Sequence, residues 1–253
     1  MSYDPRTNAE TVDAMMRGRF AIVQGSQGHR AGLDAMLLAA TVPTDATGRL
    51  LDLGAGCGTV AFAALTRAPK LTATLVEREP ELCERCERAL RLPENAHLLG
   101  RVEIVVQAVE NFRPSRPFDH ALANPPYNPS QMQPSPDDGR ARAHMEKPGE
   151  LASWRDAASR CLRTGGQAAF ILRPSAWPHA DLGPRFGDQQ LLPVVPRVGE
   201  AASRIILLAR KGRRTQASVG APVVVHEADG AFTQRVSALL DGECGLFEHP
   251  APL

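Results

Sequence analysis

Two stretches of the 253-residue chain carry residue types and spacings suited to chemistry. The first is ALANPPYNPS, residues 121–130, where Asn124, Pro125, Pro126 and Tyr127 follow a short apolar run. Neither proline can donate to a sheet ladder, so a strand must stop there and the turn must be rigid. Such a turn can hold polar side chains out for a ligand. The second is LDLGAGCGTVAFAAL, in which Gly54, Gly56 and Gly58 stand between a strand-like and a helix-like run. Glycines at that junction permit a tight turn and close approach of a ligand to the helix N-terminus. The spacing is GxGxG rather than the dinucleotide GxGxxG, and Asp52 lies just ahead of it. A carboxylate there disfavours a pyrophosphate and suits a ligand with positive charge, such as a sulfonium and an ammonium. Glu77 ends the next apolar run, where an acid can accept the ribose hydroxyls of an adenosine.

These residues need elements to position them. From residue 49 apolar runs alternate with helical patterns, the signature of βα units and a parallel sheet. RLLDLG, TATLVE, RVEIVVQ, FDHALA and QAAFIL read as strands; VAFAALTRA, residues 80–92 and ELASWRDAASRCL read as helices, the last capped by Gly165-Gly166. LLPVVP and SRIILLAR read as a closing antiparallel pair, and PVVVHE with FTQRVSALL as a final strand and helix. The expected fold is α/β: a doubly wound, mostly parallel seven-stranded sheet with antiparallel final strands. Ligands of such sheets bind outside the carboxyl ends of the strands, where both the glycine loop and Asn124 fall. The whole chain, 1–253, reads as one domain, with an N-terminal extension over 1–30, a catalytic core over 31–246 and an unstructured tail over 247–253. Residues 128–149 form a polar, Pro-rich loop too long for a simple connection.

Composition narrows the classes. The net charge of +1 offers no global field for nucleic acid, so any such contact needs a local patch. Arg140 and Arg142 in the long loop, with Arg210, Lys211, Arg213 and Arg214, are the substrate-binding candidates for one. No run reaches signal-peptide or transmembrane length, which points to a cytoplasmic protein with no membrane partner. Five cysteines without disulfide spacing fit a reducing compartment. Cys83 and Cys86 form one CxxC without a second pair, and the seven histidines lack ligand spacing, so no metal is expected.

The glycine loop, Glu77 and the Asn-Pro-Pro-Tyr turn together resemble the class I methyltransferases dependent on S-adenosylmethionine, in the group that methylates planar nitrogens. The resemblance implies a Rossmann-like fold, S-adenosyl-L-methionine as cofactor, and Asn124, Pro125, Pro126 and Tyr127 as the catalytic turn. Such a turn offers the Asn124 side chain and the Pro125 carbonyl to the two N–H bonds of a planar amine, with Tyr127 stacked on the target. QGSQGHRAGLDAMLLAA, which contains Arg30 and Asp34, is similar to the bacterial branch acting on the exocyclic amine of adenine in tRNA. There Arg30 and Asp34 lie near the methionine end of the cofactor, with Asp52, Gly54, Gly56, Gly58, Glu77 and Asn124 also around it. Members usually place an acid after strand three for the cofactor adenine; this chain has Val109 there, leaving Gln107 and Ala108 for that contact. The implied partner is tRNA and the implied state a monomer or homodimer. A glutamine amide of a release factor is the alternative acceptor, and a non-catalytic cofactor-binding RNA chaperone the second alternative.

Overall fold

The computed structural model describes residues 10–26, 32–125, 150–179 and 182–248; Arg30, Pro126, Tyr127, Arg140, Arg142 and the 128–149 loop lie outside them. Leucine, valine and alanine runs set the strands. β3 (Gly48–Leu53) pairs in parallel with β4 (Leu71–Glu77) on one side and β6 (Phe118–Ala123) on the other. β5 (Val102–Val106) extends the sheet beyond β4. β7 (Leu162–Leu172) lies parallel to β6. The chain then reverses. β9 (Arg204–Lys211) inserts antiparallel between β7 and β8 (Phe186–Val195). The expected seven-stranded sheet with its antiparallel pair is present. The short β10 (Ser218–Val219) and β11 (Val223–Val224) both pair with β8, which makes the sheet nine-stranded.

Helices cover both faces. One core cluster gathers α1 (Leu33–Ala39), α2 (Thr59–Arg67), α3 (Pro80–Leu90) and α5 (Gln234–Leu240). Every residue of α2 is buried, as its small apolar sequence VAFAAL demands. α3 starts with Pro80 in its first turn and buries Cys83, Cys86 and Ala89 at helical spacing. The other cluster packs α4 (Glu150–Cys161) on Phe112 and Phe118. α4 stops at Cys161 and β7 begins at once, so Gly165-Gly166 do not cap the helix as expected. They lie inside β7, where the register against β6 slips between Phe118 and His120. Each has its own reason: Gly165 sits at positive φ, and a Cβ on Gly166 would lie 3.0 Å from the Arg163 carbonyl oxygen.

The sequence pattern assigns no element before residue 31, yet β1 (Glu10–Met15) and β2 (Phe20–Gly25) form an antiparallel hairpin there. Its turn sets Met16, Arg17 and Gly18 at positive φ. β2 is inward-facing. Phe20 meets Phe62 of α2 edge to face at 6.4 Å, a contact of about 0.5–1.5 kcal/mol beyond area burial. Asn95 is fully buried and satisfied: it accepts from Ala21 N at 2.9 Å and donates to the carbonyls of Ala21 and Ala89, both at 2.7 Å. At the other terminus the tail begins in order, since Glu248 accepts from the Thr44 amide and hydroxyl; residues 249–253 lie outside the described residues. No helix among the described residues is long and apolar enough to cross a membrane.

Candidate active site

β3 and β6 are adjacent, and the next described helices lie on opposite faces: α2, after β3, belongs to one core cluster, and α4, after β6, to the other. That divergence opens a crevice at their carboxyl ends. The last pair in register is Leu53 with Ala123, so Gly54 and Asn124 start their loops side by side, about 4.8 Å apart by strand spacing. Asn124 is half-buried and makes no hydrogen bond to a described residue, whereas Pro125 is buried. An amide at the crevice that no described residue engages can accept from a ligand donor.

The three loop glycines sit at positive φ for different reasons of space. A Cβ on Gly58 would strike Cys86 Sγ at 2.6 Å, because α2 enters close to α3. One on Gly54 would come within 2.4 Å of the Trp154 indole, which lies over the loop from α4. Gly56 faces open space, and there a ligand can approach the backbone. Glu77, 8% exposed, ties the loop to the start of α3. Its Oε2 accepts from Gly56 N at 2.9 Å, and its Oε1 from Arg78 N at 2.8 Å and Glu79 N at 3.0 Å. A carboxylate has about four acceptor sites, so one remains on Oε2 for a ligand hydroxyl. Asp34 opens α1 and accepts from Arg204 Nε at 2.7 Å, at the start of β9 and on the same edge. Sequence reading missed Trp154 and Arg204. Trp154 had a signal, since a helix returning from the loop after Asn124 begins beside that edge; Arg204 had none, because its place depends on the insertion of β9.

Comparison with known proteins fits this geometry. The family model described as the methyltransferase small domain matches residues 30–152. A tRNA1(Val) (adenine(37)-N6)-methyltransferase of Aeromonas salmonicida is 30% identical over 215 residues, covering 81% of this chain and 86% of that protein. One of the same name from Shewanella baltica is 26% identical over 230 residues, covering 88% and 94%. A solved structure from Agrobacterium tumefaciens, described as a predicted O-methyltransferase, superposes with a TM-score of 0.71. It is 34% identical and covers 84% of this chain and 97% of its own. The chain is a class I S-adenosylmethionine-dependent methyltransferase.

In this methyltransferase Asp52 turns inward. The residue is 1% exposed, and its carboxyl accepts from Ala61 N at 3.1 Å, across the first turn of α2. Burial pushes it up to about 8 against that hydrogen bond, with the nearby Glu77 charge adding to the rise. The folded state therefore keeps a proton that the unfolded chain gives up near 3.8. The stability this contributes is full below 3.8 and is lost as pH climbs through about 8, at up to ~1.4 kcal/mol per pH unit. Asp52→Asn keeps an acceptor for Ala61 and has no such slope. Urea unfolding of both proteins at pH 5 and pH 8 should show the variant gaining on the wild type as pH rises; a constant difference would put the Asp52 proton elsewhere.

The methyltransferase places the remaining candidates unevenly. Gln107 donates its backbone N–H to the Glu77 carbonyl and Ala108 follows it, both close to Glu77 at the strand ends. Val109 is buried in the core cluster of α4. Cys83 and Cys86 line the buried face of α3, where desolvation raises both thiols, and the described residues hold no group of three or more His, Cys, Asp or Glu fit for a metal. Arg210, Lys211, Arg213 and Arg214 are not beside Asn124. Because β9 is antiparallel, they lie at the amino-terminal end of β7.

Proposed function

We propose that the methyltransferase moves the methyl of S-adenosylmethionine to the exocyclic N6 of an adenine in tRNA, as the names of its Aeromonas and Shewanella relatives say of those proteins. The carrying observation is the side-chain amide of Asn124, bonded to no described residue and one position beyond the Leu53–Ala123 pair that ends the β3–β6 ladder. The residues present fit the cofactor: Gly56 faces open space, Glu77 keeps an acceptor site and Asn124 is engaged by no described residue. Oε2 of Glu77 would take a ribose hydroxyl. Asp34, held by Arg204, and Arg30 would meet the methionine end, while Gln107 and Ala108 would border the adenine. Asp52, bonded to Ala61 N, would act only through the start of α2 that it anchors.

Bound there, the cofactor supplies an electrophilic methyl beside Asn124. The chain does the rest by orientation. The nitrogen of an aromatic amine delocalises its lone pair and attacks poorly. Asn124 Oδ1 accepts one of its N–H bonds and the Pro125 carbonyl, fixed between two prolines, accepts the other. Two such acceptors favour a pyramidal nitrogen with its lone pair turned to the methyl. Tyr127 would stack on the base. A hydroxyl acceptor needs its proton removed for attack, whereas an amine attacks first and sheds its surplus proton to water once methylated; an amide side chain takes neither proton, which favours nitrogen over oxygen as the acceptor.

Single-turnover transfer to unmodified tRNA, read by mass spectrometry of the digested nucleosides, tests this. N6-methyladenosine at one site is the expected product. Methyl found instead on a release-factor glutamine or on a ribose or phenol oxygen would overturn the assignment.

A further inference from the structure

We infer that the end of the sheet opposite Asn124 is a second RNA-binding surface, which grips phosphates of the RNA body while the target nucleotide occupies the crevice. The inference rests on the tRNA reading. At that end Arg210, Lys211, Arg213 and Arg214 stand beside Arg185, just ahead of β8, and Arg160, near the end of α4. An open cleft of about 490 Å³ runs between them, lined by Asp156, Ser159, Arg160, Arg185 and Lys211.

The ridge is built and held. A Cβ on Gly187 would lie 2.5 Å from the Arg213 carbonyl, so the turn lies directly on the backbone of β8. Gly212 N donates to the Arg185 carbonyl at 2.8 Å, and Thr215 accepts from Asp188 N at 2.6 Å and donates to its carboxylate at 2.5 Å. The cations, by contrast, are little neutralised. Arg160 donates to the carbonyls of Val109, Glu110 and Phe112, Arg210 to that of Gly165, and Lys211 to that of Leu162; carbonyl partners cancel no charge. Arg213 is 3.9 Å from Asp188, and Arg185 and Arg214, both exposed, have no acidic partner among the described residues. A chain of net charge +1 has therefore gathered cations at one end and fixed them there.

That end is far from the chemistry. Arg210 is level with Gln167, which pairs with His120, four positions below Asn124 and two strands aside. Strand rise and spacing put the ridge roughly 20 Å from Asn124, about six steps along a duplex strand at ~3.4 Å each. A nucleotide held at Asn124 cannot reach it with its own phosphate; a helical stem continuing from the target loop can. Phosphate contacts of this kind fix register without reading bases.

The test is the double variant Arg213→Glu/Arg214→Glu in methyl transfer to full-length unmodified tRNA, between about 50 and 200 mM salt. The KM for tRNA should rise about tenfold or more and the salt dependence of kcat/KM should flatten by about two in log–log slope, while kcat at saturating tRNA and cofactor affinity hold. Arg185→Ala, on a separate segment, should shift KM the same way by less, and thermal melting checks that both variants fold. An unchanged KM and salt slope, or a fall confined to kcat, would overturn the surface. A wild type that methylates no tRNA would instead overturn the function, and that shows in the wild-type arm alone.

Discussion

Asn124→Ala is expected to keep its fold and its cofactor affinity while single-turnover methyl transfer falls by about a hundredfold or more. The side chain is half-buried and bonded to nothing described, so its removal costs the fold little. Its contribution comes when the target amine arrives, and an acceptor fixed by the end of β6 and two prolines needs no reorganisation at that moment. Asn124→Asp is the finer probe. It retains an acceptor but adds negative charge where the sulfonium charge disperses as the methyl leaves. That charge favours the ground state over the transition state, so this variant should also be slow. Wild-type rates in Asn124→Ala would reduce the Asn-Pro-Pro-Tyr turn to a strand terminus.

Glu77→Ala should weaken S-adenosylmethionine binding by about 1–3 kcal/mol, roughly five- to 150-fold, and so raise the cofactor KM with it. Two losses combine. One carboxylate holds Gly56 of the loop together with Arg78 and Glu79 at the entry to α3, and the same group keeps the acceptor site assigned to the ribose. Glu77→Gln separates them, since its single carbonyl oxygen can serve the loop or the α3 entry but not both. Calorimetry on the three proteins should rank wild type above Gln above Ala. Equal affinities would move the adenosine away from Glu77.

The site's parts differ in how far they could be read ahead of the structure. The glycine loop, Glu77 and Asn124 were legible because βα alternation alone carries strand ends to one edge. The inward turn of Asp52 was not, because period and propensity do not say whether a strand-end carboxylate faces a ligand or a helix terminus. The hairpin at 10–25 was missed because its turn, Met16-Arg17-Gly18, carries no Asn-Gly or Asp-Gly signal and β2 reads as a plain apolar run. Gly165-Gly166 looked like a helix stop, and the register slip that uses them arises only when β6 and β7 pair. The basic residues 210–214 were legible as a patch, but their end of the sheet depends on the direction of β9, which their own composition does not encode.

The insertion of β9 between β7 and β8 also has a consequence in time. β7 is complete at Leu172, but the strand that covers its free edge begins only at Arg204. At a synthesis rate of about 5–20 residues per second, the Phe170-Ile171-Leu172 edge waits roughly 2–6 s for its partner. β8, made in the interval, cannot take that place in the native order and must hold off until it can fold back with β9 as a hairpin. A nascent chain halted before Arg204 therefore ends in an open, apolar strand edge, the kind of surface that recruits another unfinished chain.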